Sequence, residues 1–166
     1  MIKQAQSRDR RSHRVMKLVP TKPAPVIMSS SGSPLKYMLD TNIVIYTIKN
    51  KPKNVRTTFN ARKHQMCIST ITWMELMYGA HKSIAPHRNQ ADIEKFTNCL
   101  SILPYDKVTA DYTGKIRARL AKIGKPIGPY DQMIAGHAQS LALILVSNNI
   151  KEFERVPDIL LENWVT

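Results

Sequence analysis

Short apolar runs alternate with longer amphipathic runs from Leu35 to the end of the chain. Tyr37-Met38-Leu39 is a compact apolar run that stops at Asp40, and its pattern predicts a buried strand. Thr41 and Asn42 can cap a helix predicted from Ile43 to Ile48. The basic connection Lys49-Asn50-Lys51-Pro52-Lys53 leads to a second helix carrying Val55 and Phe59, with Pro52 suited to its first turn. Gln65 to Ile68 is a second predicted strand. Ser69, Thr70 and Thr72 offer caps for a helix ending near His81. Pro86 opens another helix, striped by Ile93, Phe96 and Leu100. Ser101 to Tyr105 is a third strand. Asp106 can cap the next helix, where Ile116, Leu120 and Ile123 repeat at helical spacing. Two Gly/Pro turns lead to Asp131, where a helix with Ile134, Ala135 and Ala138 facing inward begins. Leu141 to Val146 is the most hydrophobic run and is predicted to be a central parallel strand, buried on both faces. Leu160 to Trp164 suits a short edge strand. Strands alternating with helices predict an α/β fold with a mostly parallel central sheet flanked by helices.

Charge changes the picture. The formal net charge is +13 in 166 residues. Up to Ser33 there are seven Lys/Arg and one acid; from Pro34 onward there are 18 and 11, so the remainder alone carries +7. A basic folded part favours a polyanionic partner. Residues 1–34 show no hydrophobic period and hold Arg8, Arg10, Arg11, Arg14 and the run Ser29-Ser30-Ser31-Gly32-Ser33, so a disordered basic extension is expected before a domain spanning 35–166. An RNA-binding arm, a weak transit-peptide likeness, a cloning scar and a mis-set start codon are the readings of that extension, the last preferred. No apolar run is long enough to span a bilayer. Cys67 and Cys99 match no zinc spacing and suit a reducing, cytoplasmic setting.

Four polar sites follow strands or open helices. Asp40 ends a strand, where α/β sheets bind ligands, although a cap there is equally ordinary. Glu75 lies on a helical face with Ile71, Tyr78 and Gly79; Thr72-x-x-Glu75 also fits a capping box. Asp131 at a helix start is readily explained as a cap. His137, in a small apolar helix, is expected to be a packed core histidine. Ser147-Asn148-Asn149 and Glu152 follow the last long apolar run. A parallel sheet can bring these acids to one edge, where they would repel unless a cation joined them. Oxygen-only ligation suits Mg²⁺ or Mn²⁺. A hard metal among acids in a basic surround suggests phosphodiester cleavage. Lys115, Arg119 and Lys122, with Arg117 nearby, form a basic stripe on one helix.

The motifs Met38-Leu39-Asp40-Thr41-Asn42, Ser69-x-x-Thr72-x-Met74-Glu75-Leu76-x-Tyr78-Gly79, Gly128-Pro129-Tyr130-Asp131-x-x-Ile134-Ala135 and Val146-Ser147-Asn148-Asn149-x-x-Glu152-Phe153 occur in this order. Together they resemble the PIN-domain ribonucleases, and within them the VapC toxins of toxin–antitoxin pairs. The resemblance covers Leu35 to the C-terminus and implies a PIN-like α/β/α sandwich. It implies that Asp40, Glu75 and Asp131 bind Mg²⁺ or Mn²⁺ and activate water against an RNA phosphate, with Asn149 or Glu152 completing the ligand set. Implied partners are structured RNA, commonly tRNA, a VapB-type antitoxin and a second copy of the chain; no membrane is expected. Lys49, Lys51, Arg117, Arg119 and Lys122 are the candidates for RNA backbone contacts. Many members of the family carry an aspartate in the fourth motif where this chain has Asn148-Asn149. That departure puts a second metal in doubt and keeps a non-catalytic binding module as the alternative.

Overall fold

The computed structural model describes residues 26–165. The disorder expected of residues 1–25 lies outside the described residues. Residues 26–34, expected to be disordered, form a tight turn. Met28 bridges Pro34 in antiparallel fashion, the Leu35 amide donates to the Ile27 carbonyl at 2.7 Å, and Ile27 packs on the core. Gly32 supplies the turn's left-handed residue at φ 77°.

Five strands follow: β1 (Tyr37–Leu39), β2 (Met66–Ser69), β3 (Ser101–Leu103), β4 (Ile144–Val146) and β5 (Leu161–Glu162). Seven helices connect or flank them: α1 (Thr41–Lys49), α2 (Lys53–Arg62), α3 (Thr70–His81), α4 (Pro86–Thr97), α5 (Lys107–Lys122), α6 (Pro129–Ser140) and α7 (Ile150–Phe153). All strand pairs are parallel, in the order β3-β2-β1-β4-β5.

The two-residue period of the strands divides the core into two layers. Tyr37, Leu39, Ile68 and Val146 face one side, with Ile43, Val55, Leu76 and Ile93 from α1 to α4. Met38, Cys67 and Leu145 face the other, with Ile116, Leu120 and Ile134 from α5 and α6. This is the expected α/β/α sandwich. Burial of Cys67 pushes its thiol up to about 12, which leaves it a small apolar filler.

Several predicted bounds shift. β1, not the Leu141–Val146 run, is central, and only Ile144–Val146 of that run is extended. Leu141 and Ala142 belong to the turn that closes α6, with Ala142 at φ 51°. Apolarity marked burial there without separating turn from strand. The third strand stops at Leu103, before Pro104.

Chain order reverses beside β1. The chain runs outward through β2 and β3, then returns to the other side of β1 with β4. Such a switch point leaves a crevice beyond the carboxyl ends of the two strands. Asp40 and Ser147 are the residues that follow β1 and β4 there.

Candidate active site at the strand ends

Asp40 is 4% exposed and accepts three hydrogen bonds. The Thr41 amide donates to Oδ1 at 2.7 Å, so Asp40 itself is the N-cap of α1. The Ser147 hydroxyl and the Asn42 amide donate to Oδ2 at 2.7 and 2.6 Å. Burial raises the Asp40 pKa above the usual carboxylate value; the three donors pull it down and nearby Glu75 pushes it further up.

Glu75 is not a capping residue. Ser69 caps α3, accepting from the Ile71 amide at 3.1 Å, so Glu75 lies beyond the first turn and the Thr72-x-x-Glu75 box does not form. Its Oε2 instead accepts the Thr41 hydroxyl at 2.5 Å. That contact joins α3 to the start of α1.

Asp131 stands in the first turn of α6, with Gly128 as the cap position and Pro129 opening the helix. It is therefore not the cap itself. Its pKa is pushed up to about 6, by partial burial first and then by the charges of Asp40, Glu75 and Glu152. Asn149 donates weakly to Asp131 Oδ2 at 3.4 Å, which works in the opposite direction. The mutual repulsion places four carboxylates in one electrostatic neighbourhood, contributed by the end of β1 and by α3, α6 and α7. Glu152 is also paired with Arg155 at 3.4 Å.

The ligand chemistry in this crevice is oxygen only, from carboxylates and the Ser147 and Thr41 hydroxyls, with Asn149 turning its Nδ2 to Asp131. Such a set fits Mg²⁺ or Mn²⁺ rather than a thiophilic ion. Among the described residues, no three carboxylate, imidazole or thiolate groups form a ready-made ligand cluster. An ion held here would keep several waters, as Mg²⁺ habitually does.

The sequence names Asn42 as a cap and as the last residue of the first motif, but not as a site residue. Its Nδ2 donates to Asp40 Oδ2 and, at 3.2 Å, to Ser147 Oγ; its Oδ1 accepts the Asn148 amide at 3.2 Å. It ties the loop after β4 to the residue after β1. Its presence two positions after a strand-ending aspartate was the available signal.

A family model described as PIN domain matches residues 37–159. The chain belongs to the PIN-domain family. Within it, the chain is similar to the tRNA(fMet)-specific endonuclease VapC of Salmonella typhimurium strain LT2, at 58% identity over 130 residues, covering 78% of this chain and 98% of that protein. It is 55% identical over 131 residues to ribonuclease VapC2 of Haemophilus influenzae strain Rd, covering 79% of this chain and 99% of that protein. A crystal structure of DNA-bound VapBC from Salmonella typhimurium superposes with a TM-score of 0.76 at 58% identity, over 79% of this chain and 99% of that one. VapBC2 from Rickettsia felis, bound to a promoter DNA fragment, gives 0.75 at 37% identity, over 79% and 100%.

The basic candidates of this PIN domain fall into two groups. Lys49, at the end of α1, shares with Glu75 a cavity of about 390 Å³ lined by Ile45, Ile48, Leu76 and Ile93; Lys51 follows in the connection to α2. Arg117, Arg119 and Lys122 lie on the exposed face of α5. The segment joining α5 to α6 is short, so the Lys122 end of the stripe lies near the Asp131 end of α6. His137 is a core residue: 1% exposed, bonded through Nδ1 to Ser69 Oγ at 2.8 Å and pushed down to about 4 by burial. No helix among the described residues is long and apolar enough to cross a membrane.

Proposed function

We propose that this PIN-domain protein is a Mg²⁺- or Mn²⁺-dependent endoribonuclease toxin that cuts structured RNA, tRNA first among candidates, and is held in check by a VapB-type antitoxin. The carrying observation is the set of carboxylates Asp40, Glu75 and Asp131 at the switch point, where Glu75 raises the cost of ionising Asp40 and both raise that of Asp131. The names and assemblies of its relatives support the ribonuclease and antitoxin parts.

Asp40, Glu75 and Asp131 would hold the ion, with Asn149 and Glu152 at its margin. When bound, the ion supplies Lewis-acid stabilisation to the phosphate and lowers the pKa of a water. Asp40 is held rigid by Thr41, Asn42 and Ser147, which keeps an anionic oxygen at a fixed place. Thr41 orients Glu75. Asp131, raised to about 6 by partial burial and its acidic neighbours, is a carboxylate whose crowding a bound cation would relieve. The reaction is hydrolysis: water adds to phosphorus and one ester oxygen leaves as an alcohol. Lys49, Lys51, Arg117, Arg119 and Lys122 would hold the flanking phosphates.

The cavity beside Glu75 suits an antitoxin segment with apolar side chains and a basic residue reaching the carboxylate. Met74 and Tyr78, exposed on α3, offer an apolar face to a second copy.

The test is incubation with total tRNA and Mg²⁺ or Mn²⁺, beside lanes with EDTA and with Asp40→Asn. Discrete fragments absent from both controls are expected. A folded protein that neither cuts RNA nor gains thermal stability with either metal would replace the nuclease by a non-catalytic PIN-fold binding module.

A further inference from the structure

One rim of the carboxylate crevice carries uncharged hydrogen-bonding groups. Asn148 is exposed and follows Ser147 directly. Its backbone amide donates to Asn42 Oδ1 at 3.2 Å, and Asn42 is bonded in turn to Asp40. The residue is thus keyed to the buried carboxylate through two hydrogen bonds, with no long flexible side chain between them. Its side chain is oriented from both ends: Asn163 Nδ2 donates to Asn148 Oδ1 at 3.4 Å, and Asn148 Nδ2 donates to the Tyr46 hydroxyl at 3.5 Å. Asn163 is held in its own turn, where its Oδ1 accepts the Val165 amide at 2.9 Å.

A side-chain amide has two N–H donors and two carbonyl lone pairs. Each neighbour of Asn148 uses one of them, at 3.4 and 3.5 Å. One donor and one acceptor remain on an exposed, preset amide. Cations track phosphates, whereas a paired donor and acceptor match the edge of a base. Adenine presents such a pair on both of its hydrogen-bonding edges, and an asparagine or glutamine amide is its bidentate partner. An unpaired RNA base can turn either edge outward.

We propose that Asn148, oriented by Asn163 and Tyr46, reads the base of a nucleotide flanking the phosphate cut at the Asp40 crevice, with adenine preferred. This reading deepens the ribonuclease assignment and rests on it. Asn148 acts on the choice of cut site. Asn163 and Tyr46 are positioning residues that act through it.

The test uses RNA hairpins whose unpaired loops differ only in one base on either side of a single cut site. Two quantities are read: cleavage rate by the wild-type protein and by Asn148→Ala, and equilibrium binding by fluorescence anisotropy in Asp40→Asn with and without Asn148→Ala. The wild type should favour adenine at one flanking position by about ten-fold, and Asn148→Ala should reduce that to about two-fold or less. Asn163→Ala and Tyr46→Phe should weaken the preference without abolishing cleavage. Equal cleavage of all bases, or a preference untouched by Asn148→Ala, would overturn the base reader while leaving the nuclease intact. A base preference in binding that disappears with Asn148→Ala, without any cleavage, would keep the reader and overturn the nuclease.

Discussion

Both oxygens of Asp40 accept hydrogen bonds from the chain, and Asn42 supplies the shortest of them at 2.6 Å. Removing Asn42 leaves Asp40 present but less fixed, and also frees the Asn148 amide. Loss of such supporting contacts to a metal-binding carboxylate costs about 10- to 100-fold. Asn42→Ala should lower kcat/KM by that order and weaken the Mn²⁺ dependence, with a small change in Tm; an unchanged metal titration would reduce Asn42 to a surface polar residue. Asp131 makes a prediction about pH. Its folded pKa is about 6 against 3.8 for an ordinary aspartate, so the folded chain holds the extra proton between those values. Stability contributed by that proton is present at low pH and is lost as pH rises through about 6. His137 works in the opposite sense, because its pKa of about 4 makes the unfolded chain the better proton binder from there to 6.5. The wild-type curve therefore mixes the two with Asp40, whose pKa burial also raises. The difference between wild type and Asp131→Asn, measured by thermal melts in EDTA, isolates the aspartate: similar near pH 4, with the variant more stable at pH 7.5. Added Mg²⁺ should narrow that gap. Taken singly, Asp40, Glu75 and Asp131 each read equally well as caps or capping-box residues; the three became legible only together, through the alternation of strands and helices and the order of the four motifs. The clamp by Asn42 was not, because an asparagine after Asp-Thr reads equally well as a helix cap.

Helix crossings set how far apart those carboxylates stand. α6 carries Asp131 and packs along α5, and Gly136 lies at the point of closest approach. A methyl group there would sit 2.1 Å from Thr113 Oγ1, 2.8 Å from its amide nitrogen and 2.9 Å from its Cα. The last two are backbone atoms and cannot rotate aside, so the helices would have to separate. Gly136→Ala should cost about 1–3 kcal/mol in urea unfolding and should reduce cleavage by shifting Asp131. Gly114, exposed in the interior of α5, has nothing within 4 Å of the same position. Gly114→Ala should stabilise by up to about 1 kcal/mol, so the two alanines carry opposite signs on one helix pair. The opposite end of the bracket is polar. His137 on α6 bonds the Ser69 hydroxyl that caps α3, the helix bearing Glu75. Helices such as these were legible from periodicity and caps: Pro86 does open α4, and Asp106 does cap α5 through the Thr109 amide at 2.8 Å. The run Leu141–Val146 was not divisible by pattern. A turn whose leucines pack inward has the same composition as a buried strand, and only the left-handed Ala142 separates them.

At the scale of the whole molecule, a strongly basic chain surrounds an acidic crevice. The net charge is +13, while the crevice gathers four of its 12 acids. Such an arrangement draws a polyanion over the surface yet demands a cation where the phosphate meets the carboxylates. The parallel sheet makes this possible by bringing residues from distant parts of the chain to one edge. The same geometry distinguishes among the basic residues of α5, which the sequence presents as equivalent. Lys115 is paired with Asp111 at 2.6 Å, and Arg119 lies 3.9 Å from Asp158, whereas Arg117 and Lys122 enter no ion pair among the described residues. A cation already neutralised by an acid releases fewer counterions from RNA than an unpaired one. For single-stranded RNA, log K falls with log salt at about 0.7 per neutralised phosphate. Replacing Arg117 and Lys122 together by glutamine should therefore make the slope shallower by about 1.4, with weaker binding at low salt and little change in Tm. Lys115→Gln should leave the slope nearly unchanged. Binding measured from low to moderate salt on an Asp40→Asn background separates these outcomes from cleavage. Equal slopes for all the variants would remove α5 from the RNA path and leave Lys49 and Lys51, at the end of α1 and in the connection that follows it, as the backbone contacts.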